Sequence, residues 1–382
     1  MELNMINVTT YEDLQKYSEG NELPLLPPPL DIETKNIMRK AISANRALAE
    51  LKNKADLLPN QDILISNIAL TEAKDSSEIE NIFTTSDVLY KADITPENQL
   101  DPGTKEVRSY NRALWLGIKL IKEKPLNTNS FISIVQAIKQ NTAGIRKSYG
   151  TIIKNGNTGE IVHIPPQGEN LIREKLKNLE DFLYENNEID PLIKMAVLHY
   201  QFEAIHPFAD GNGRTGRIIN ILWLVQNELL NRPILFLSAY FLKHRQEYYE
   251  YLKNVTDNKD WENWIIYILN AVEETSKQTK SLIEKIITAR KEFKNELQTY
   301  FPKIYSGDLV EAIFSSPYFR LADVLKIYPT ISYPTAARHL TALTLPYTRK
   351  DGTTGQLLTV SKIGRENIYI NNILLEILTT GF

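Results

Sequence analysis

The segment HPFADGNGRTGR, from His206 to Arg217, sets an imidazole, a carboxylate, an amide and two guanidinium groups among three glycines. An apolar helical pattern, AVLHYQFEAI, leads into it and another, RIINILWLVQNELL, leads out, so the glycines surround the entry to a helix. The first N–H groups of a helix have no intrahelical acceptor and stand at the positive end of its dipole. Such a turn is an anion cradle. Arg214 and Arg217 are three residues apart and project from one side of the first turn. Two guanidinium groups with a backbone nest suit a polyphosphate better than a single carboxylate. Asp210, at the lip, is placed to hold a Mg2+ ion bridging phosphate oxygens. His206, held by Pro207 and Phe208, is placed to take a proton from an incoming hydroxyl. The GxxxxGK phosphate loop and a serine-hydrolase elbow do not occur.

The elements that must position these groups are mostly helical. LPLLPPPLDIET favours an extended polyproline-like segment, with Asp31 as N-cap of a helix carrying Ile37, Met38, Ala41, Ile42, Ala44, Leu48 and Leu51 on its spacing. A second helix is expected from near Asn60, with Leu64, Ile65, Ile68 and Ala69 leading into TEAKDSSEIENI. Between Thr142 and Leu171, β-branched runs on either side of NGNTG signal a hairpin, an island in a helical chain. Helices return before and after the glycine-rich motif. KQTKSLIEKIITARKEFKNELQTYF reads as a long exposed connecting helix. From Ser306 onward, three short helical patterns and a strand pair about a Gly-containing turn suggest a winged-helix module. The expected organisation is an N-terminal helical region (1–100), a catalytic core (101–275), a connecting helix (276–305) and the module (306–382).

Composition limits the function classes. The 44 basic and 47 acidic residues give a net charge of −3, so no global basic field advertises nucleic acid or a membrane surface. The absence of cysteine removes thiolate chemistry and disulfides, and fits a cytoplasmic location. The opening residues are polar and acidic where a signal peptide would be basic and then apolar. The most apolar run, Trp264 to Leu269, is far below the roughly 20 residues that span a bilayer.

HPFADGNGR followed by TGR resembles the signature of the Fic family, HPFx[D/E]GN[G/K]RxxR, whose enzymes transfer AMP from ATP to protein hydroxyls. Further elements resemble the family in order, from LPPP to the winged-helix tail. The resemblance implies a mainly α fold, a helical core with a β-hairpin flap, ATP and Mg2+ as cofactors, and protein Ser, Thr or Tyr hydroxyls as acceptors, with self-modification and a homodimer both open. It makes His206 the general base and Asp210 the metal ligand. Asn212, the backbone of Gly211 and Gly213, Arg214 and Arg217 would hold the triphosphate. Ile161, Val162 and His163 of the flap would line the site, His163 also shaping the flap, while the flap's edge clamps a target strand. Tyr248 falls at the nucleoside side, where an aromatic at helical spacing serves equally as core, and a family asparagine shortly after it is replaced near Thr256. Ser76, Glu80 and Asn81 in SSEIEN are similar to the family's inhibitory pattern [S/T]xxxE[G/N], which implies that Glu80 pairs bidentately with Arg217 and holds the enzyme off.

The rival reading is an ATP-sensing regulator whose winged-helix tail binds DNA. From Ser306 on there are seven basic and six acidic side chains. That balance argues against phosphate contacts and favours protein docking, although Arg338 and His339 could reach a groove.

Overall fold

A computed structural model describes residues 3–7, 23–58, 61–156, 158–185, 188–364 and 366–380. Its backbone is mainly helical. After a strand β1 (Leu3–Asn7) come α1 (Lys35–Ala55), α2 (Gln61–Ile79), α3 (Ser86–Lys91), α4 (Pro102–Glu123) and α5 (Thr128–Lys139). The flap strands β2 (Thr151–Asn155) and β3 (Ile161–His163) follow. Then come α6 (Glu169–Tyr184), α7 (Pro191–Ile205), α8 (Asn212–Gln226), α9 (Leu237–Lys243), α10 (Arg245–Asn258) and α11 (Trp261–Tyr300). The chain divides into two compact units, one of Met1–Glu50, Glu72–Phe83 and Glu106–Ser276, the other of Leu51–Thr71, Thr84–Lys105 and Lys277–Phe382. Among the described residues, no helix is long and apolar enough to cross a membrane.

The first unit is built around α7 and α8. In α7 every residue from Leu192 to Phe202 is buried, and α8 is buried from Arg214 to Leu224, so neither helix has a solvent face. Pro191 at the first turn and the Asp190 carboxylate accepting from Leu192 N start α7. The two helices pack on each other, α6 packs on α7 and α5 on α8. Trp264, fully buried, donates its indole N–H to Ala196 O at 2.8 Å and stacks on His199, which fastens the start of α11 to α7. The polyproline segment is tied down by Leu26, whose N–H and C=O both bond to the Asn178 amide.

Several local expectations change. The side chain at the start of α1 is Thr34, whose hydroxyl accepts from Ile37 N, while Asp31 bonds to Glu33 N and closes a turn before the helix. Ile37, Ala41, Ala44, Leu48 and Leu51 are buried, but Met38 and Ile42 face outward. Ile65, Ile68 and Ala69 of α2 are buried, while Pro59, Asn60 and the Leu64 side chain lie outside the described residues. The flap has three strands: β1 pairs antiparallel with β2, placing Met5 opposite Ile153, and β2 pairs with β3 through an irregular register. Asn157, in the turn, lies outside the described residues, as do residues 8–22.

In the second unit the C-terminal stretch consists of α12 (Gly307–Ile313), β4 (Tyr318–Phe319), α13 (Leu321–Ile327), α14 (Tyr333–Leu343), β5 (Tyr347–Thr348), β6 (Thr354–Gly355), β7 (Thr359–Ile363), β8 (Glu366–Ile370) and α15 (Asn372–Thr380). The three helices and the strand pair match the pattern read from sequence. The added strand β4 makes the sheet β4-β8-β7. The expectation of an exposed connecting helix fails. With no Gly or Pro to break it, α11 runs 40 residues without interruption, and its Leu282, Ile283, Ile286, Phe293 and Leu297 are buried. Phe293 meets Phe314 edge-on at 5.3 Å within the cluster that holds Leu309, Leu340 and Tyr369. We expect Phe293→Ala to lower the stability of this unit by about 3–5 kcal/mol, the usual cost of emptying a buried phenyl site. Urea denaturation followed by far-UV circular dichroism checks it, and a loss under about 1 kcal/mol would remove this face of α11 from the core.

Candidate active site

The loop between α7 and α8 is bent by two left-handed residues, His206 (φ 48°) and Gly211 (φ 83°). Asn212 locks it. Its amide accepts from Phe208 N at 2.8 Å and donates to Phe208 O at 2.7 Å. The Asn212 side chain is therefore engaged by the loop, and what it offers the cavity is backbone. The first α-helical bond of α8 is Thr215 N to Gly211 O, so the N–H groups of Asn212, Gly213 and Arg214 are first-turn donors without an intrahelical acceptor. Arg146 braces the loop from outside. Its Nε donates to His206 O at 2.8 Å and its backbone N–H to Pro207 O at 2.9 Å.

These groups face a cavity of about 430 Å³, lined by Glu80, Val162, His163, His206, Asp210, Gly211, Asn212, Gly213, Arg214, Arg217 and Tyr248 among others. Ile161 does not line it. It borders a neighbouring cavity of about 510 Å³ beside Pro28 and Trp261, which Val162 also lines. His163 lines both, and its Nε2 reaches Ala204 O at 2.8 Å, tying the flap to α7. Burial lowers the His163 pKa, so the ring is neutral and donates that bond. Tyr248 is 2% exposed and its hydroxyl meets His199 Nε2 at 2.9 Å, so it is both core and cavity wall. Thr256, on the same wall, bonds with the Tyr200 hydroxyl at 3.1 Å.

The His206 pKa falls to about 3, first because of desolvation, with the Arg146 charge adding to it. Its Nδ1 lies 3.3 Å from Glu203 O. To bond a carbonyl, Nδ1 must carry the proton, which leaves Nε2 as the free acceptor.

Each cation of the cradle faces a carboxylate. Arg214, 3% exposed, donates to Glu106 at 2.6 Å, and Lys139 meets Asp210 at 2.6 Å. Arg217 is 1% exposed and donates from Nη2 to Glu80 Oε1 at 2.7 Å. The pairing is not bidentate. The guanidinium's other contacts go to Ser76, Nε to its hydroxyl at 2.7 Å and Nη2 to its carbonyl at 2.9 Å. Burial works against the Arg217 charge, but Glu80 together with Tyr248 and Tyr110 outweighs it and the pKa rises. Gly213 makes room for this arrangement, since a Cβ there would fall inside contact distance of Glu80 Oε1 and 3.0 Å from Arg217 Nη1.

Glu80 caps α2. Ile82 N bonds to Ser77 O and Asn81 N to Glu78 O, with Asn81 left-handed at φ 59°. This is a Schellman end, and it explains why Gly or Asn belongs at the last position of the SSEIEN pattern. Farther up α2, Glu72 is buried and accepts from Ser238 N at 3.0 Å, from the Ser238 hydroxyl, and from Tyr110 at 3.2 Å. Burial pushes its pKa up to about 8 despite those donors.

Sequence reasoning passed over Lys139, Glu106, Arg146, Glu72 and Glu203. Burial lifts the Glu203 pKa to about 8 against the pull of Arg217, and its Oε1 has no hydrogen-bond partner. The acid within the apolar run AVLHYQFEAI was the available signal. Lys139, Glu106 and Arg146 carry no local signal, because each reaches the motif from another helix or loop. Among the described residues there is no group of three or more His, Asp or Glu side chains that could hold a metal. Asp210 alone fits a cation that arrives with phosphates. Burial would raise its pKa, but Lys139 and Arg214 hold it below the usual carboxylate range, and Mg2+ commonly takes one or two protein carboxylates beside substrate oxygens. We expect Asn81→Val to destabilise the fold by about 1–3 kcal/mol through left-handed strain and Asn81→Gly to leave it unchanged. Thermal melts of the two variants check this, and equal melting points would remove the cap as the reason.

Three family models cover this architecture. Residues 38–119 match the Fic/DOC family N-terminal model, 125–224 the Fic/DOC family model, and 290–374 the C-terminal domain of SoFic-like protein adenylyltransferases. The chain is 26% identical over 242 residues to the protein adenylyltransferase Fic of Aedes aegypti, covering 59% of this chain and 46% of that protein. It is 30% identical over 128 residues to a protein adenylyltransferase of Caenorhabditis elegans, covering 33% of this chain and 22% of that one. It thus spans less than half the length of these curated relatives. A solved Fic family protein from Desulfovibrio desulfuricans shares the fold at a TM-score of 0.52 and 17% identity, over 90% of this chain and 98% of that one. The glycine-lined helix entry, the capped acid facing its second arginine and the three matched segments place this chain in the Fic/DOC family.

Proposed function

We propose that the chain is a protein adenylyltransferase that moves AMP from ATP to a protein hydroxyl, and that Glu80 holds it off. The observation that carries this reading is one cavity in which a neutral His206 stands at the lip of a helix N-terminus with Arg214 and Arg217. In the reaction the acceptor oxygen forms a bond to the α-phosphorus and the bond to the pyrophosphate oxygen breaks. The hydroxyl proton passes to His206 Nε2. The N–H groups of Asn212, Gly213 and Arg214 with the two guanidiniums take the charge that develops on the leaving phosphates. Mg2+, held by Asp210, would add neutralisation of phosphate oxygens. Val162 and His163 cover the nucleotide from the flap, and the outer edge of β3 offers backbone groups to a target strand. Residues 306–382 hold none of these groups and are assigned to partner choice.

Inhibition follows from competition. While Glu80 pairs with Arg217, that guanidinium is closed to a phosphate. Glu80→Gly should raise transfer roughly 5–150-fold, the span of a coupling of about 1–3 kcal/mol. Adding Arg217→Ala should cancel the gain. Intact mass spectrometry after incubation with ATP and Mg2+ reads both, a gain of one AMP per protein marking self-modification. A double variant as active as Glu80→Gly alone would remove Arg217 from the mechanism.

His206→Ala, in the Glu80→Gly background, should lower kcat by about 10²–10⁴-fold and leave ATP affinity within a few fold. Calorimetry with a radiolabel transfer assay separates the two. Because the His206 pKa lies near 3, the base is already neutral across the working range. The kcat/KM of Glu80→Gly should therefore stay level from about pH 5.5 to 7 at saturating Mg2+. A limb centred near the ordinary histidine value would contradict the assignment.

A further inference from the structure

The cradle has a third cation that the motif does not contain. Lys139 is the last residue of α5, after which Gln140 turns left-handed (φ 52°) and carries the chain away. Its stem lies along the loop. A Cβ built on Gly211 would meet Lys139 Cγ and Cδ at 3.6 Å and Val135 Cγ2 at 3.3 Å. The lysine stem thus runs at ordinary contact distance beside position 211, where the left-handed backbone (φ 83°) is what calls for glycine. Its ammonium meets Asp210 Oδ2 at 2.6 Å and lines the same cavity, with the lysine side chain 24% exposed and the aspartate 62%.

A carboxylate at the mouth of a polyanion site repels its ligand unless a cation stands between them. A divalent ion does this once bound, but one carboxylate is a weak metal site without the oxygens a nucleotide brings. The approaching ligand therefore meets Asp210 before any metal is secured. Arg214 does not serve at that point. It lies 3.7 Å from Asp210 and is held by Glu106.

Resting on the nucleotide reading above, we propose that Lys139 is the resident counter-cation of Asp210, standing between that carboxylate and the phosphates so that ATP binds before a divalent cation does. When the cation arrives with the nucleotide, Asp210 exchanges the ammonium for it, and Lys139 turns to a phosphate oxygen. Lys139 is on this account a positioning residue for the anion, and its contribution is largest where metal is absent.

The test is calorimetric titration of ATP into the full chain carrying Glu80→Gly, once in EDTA and once in excess Mg2+. Lys139→Gln, which keeps most of the stem, should weaken binding about tenfold in EDTA, the size of one charge-assisted hydrogen bond, and under about threefold in Mg2+. Lys139→Arg should restore the EDTA affinity. An equal loss in both buffers would make Lys139 an ordinary phosphate contact and overturn the proposal, as would no loss in EDTA. A loss with Lys139→Arg equal to that with Lys139→Gln would trace the effect to stem packing and overturn it too. If Glu80→Gly itself binds ATP in neither buffer, the nucleotide reading fails and this inference falls with it. If Glu80→Gly binds in Mg2+ alone, the reading stands and the proposal is wrong.

Discussion

A guanidinium that is 1% exposed must be paired. Arg217 sits inside the first turn of α8, and three of its contacts come from the end of α2, more than a hundred residues earlier in the chain. Much else in the first unit serves that meeting. Glu72 pins the middle of α2 to Ser238 and Tyr110. The left-handed Asn81 ends the helix so that Glu80 is its last side chain. On the other side, α7 and α8 are buried on all faces, which fixes where the arginine emerges.

Two acids facing two arginines hold different positions in their helices. Glu106 lies within the first turns of α4, after a start in which Asp101 accepts from Thr104 N at 2.9 Å, so its carboxylate is carried by a continuous helix. Glu80 stands at a helix end, followed by a left-handed residue and extended chain. Glu106 is flanked by helix on both sides, whereas Glu80 ends one, and helix ends open at far lower cost than interiors. On the proposed reading the same chemistry serves as a brace at Arg214 and as a movable partner at Arg217.

The motif from His206 to Arg217 was legible because its chemistry lies in consecutive residues at a helix entry, where local rules apply. The hairpin was legible from its turn and β-branched flanks, but β1 was not, because pairing of Leu3–Asn7 with Thr151–Asn155 spans more than a third of the chain. Ser76 was read as part of a pattern without its work, which is to bond Arg217 through both hydroxyl and carbonyl. Lys139, Glu106 and Arg146 were invisible for the same reason as β1. Charged residues on helices and loops usually face solvent, and only tertiary packing turns these three toward the motif. The long α11 was misjudged because its charged residues mask an apolar stripe that recurs every three or four positions.

Gly213 links these arguments. The volume a side chain would fill there is the volume into which the Glu80 carboxylate reaches beside Arg217. On the proposed reading an anion at the α8 N-terminus needs that same volume, so acid and ligand contend for one absent carbon. A side chain built at 213 would press on the Glu80 carboxylate and occupy the helix entry at once, so on the proposed reading shortening Glu80 frees Arg217 while leaving that space open.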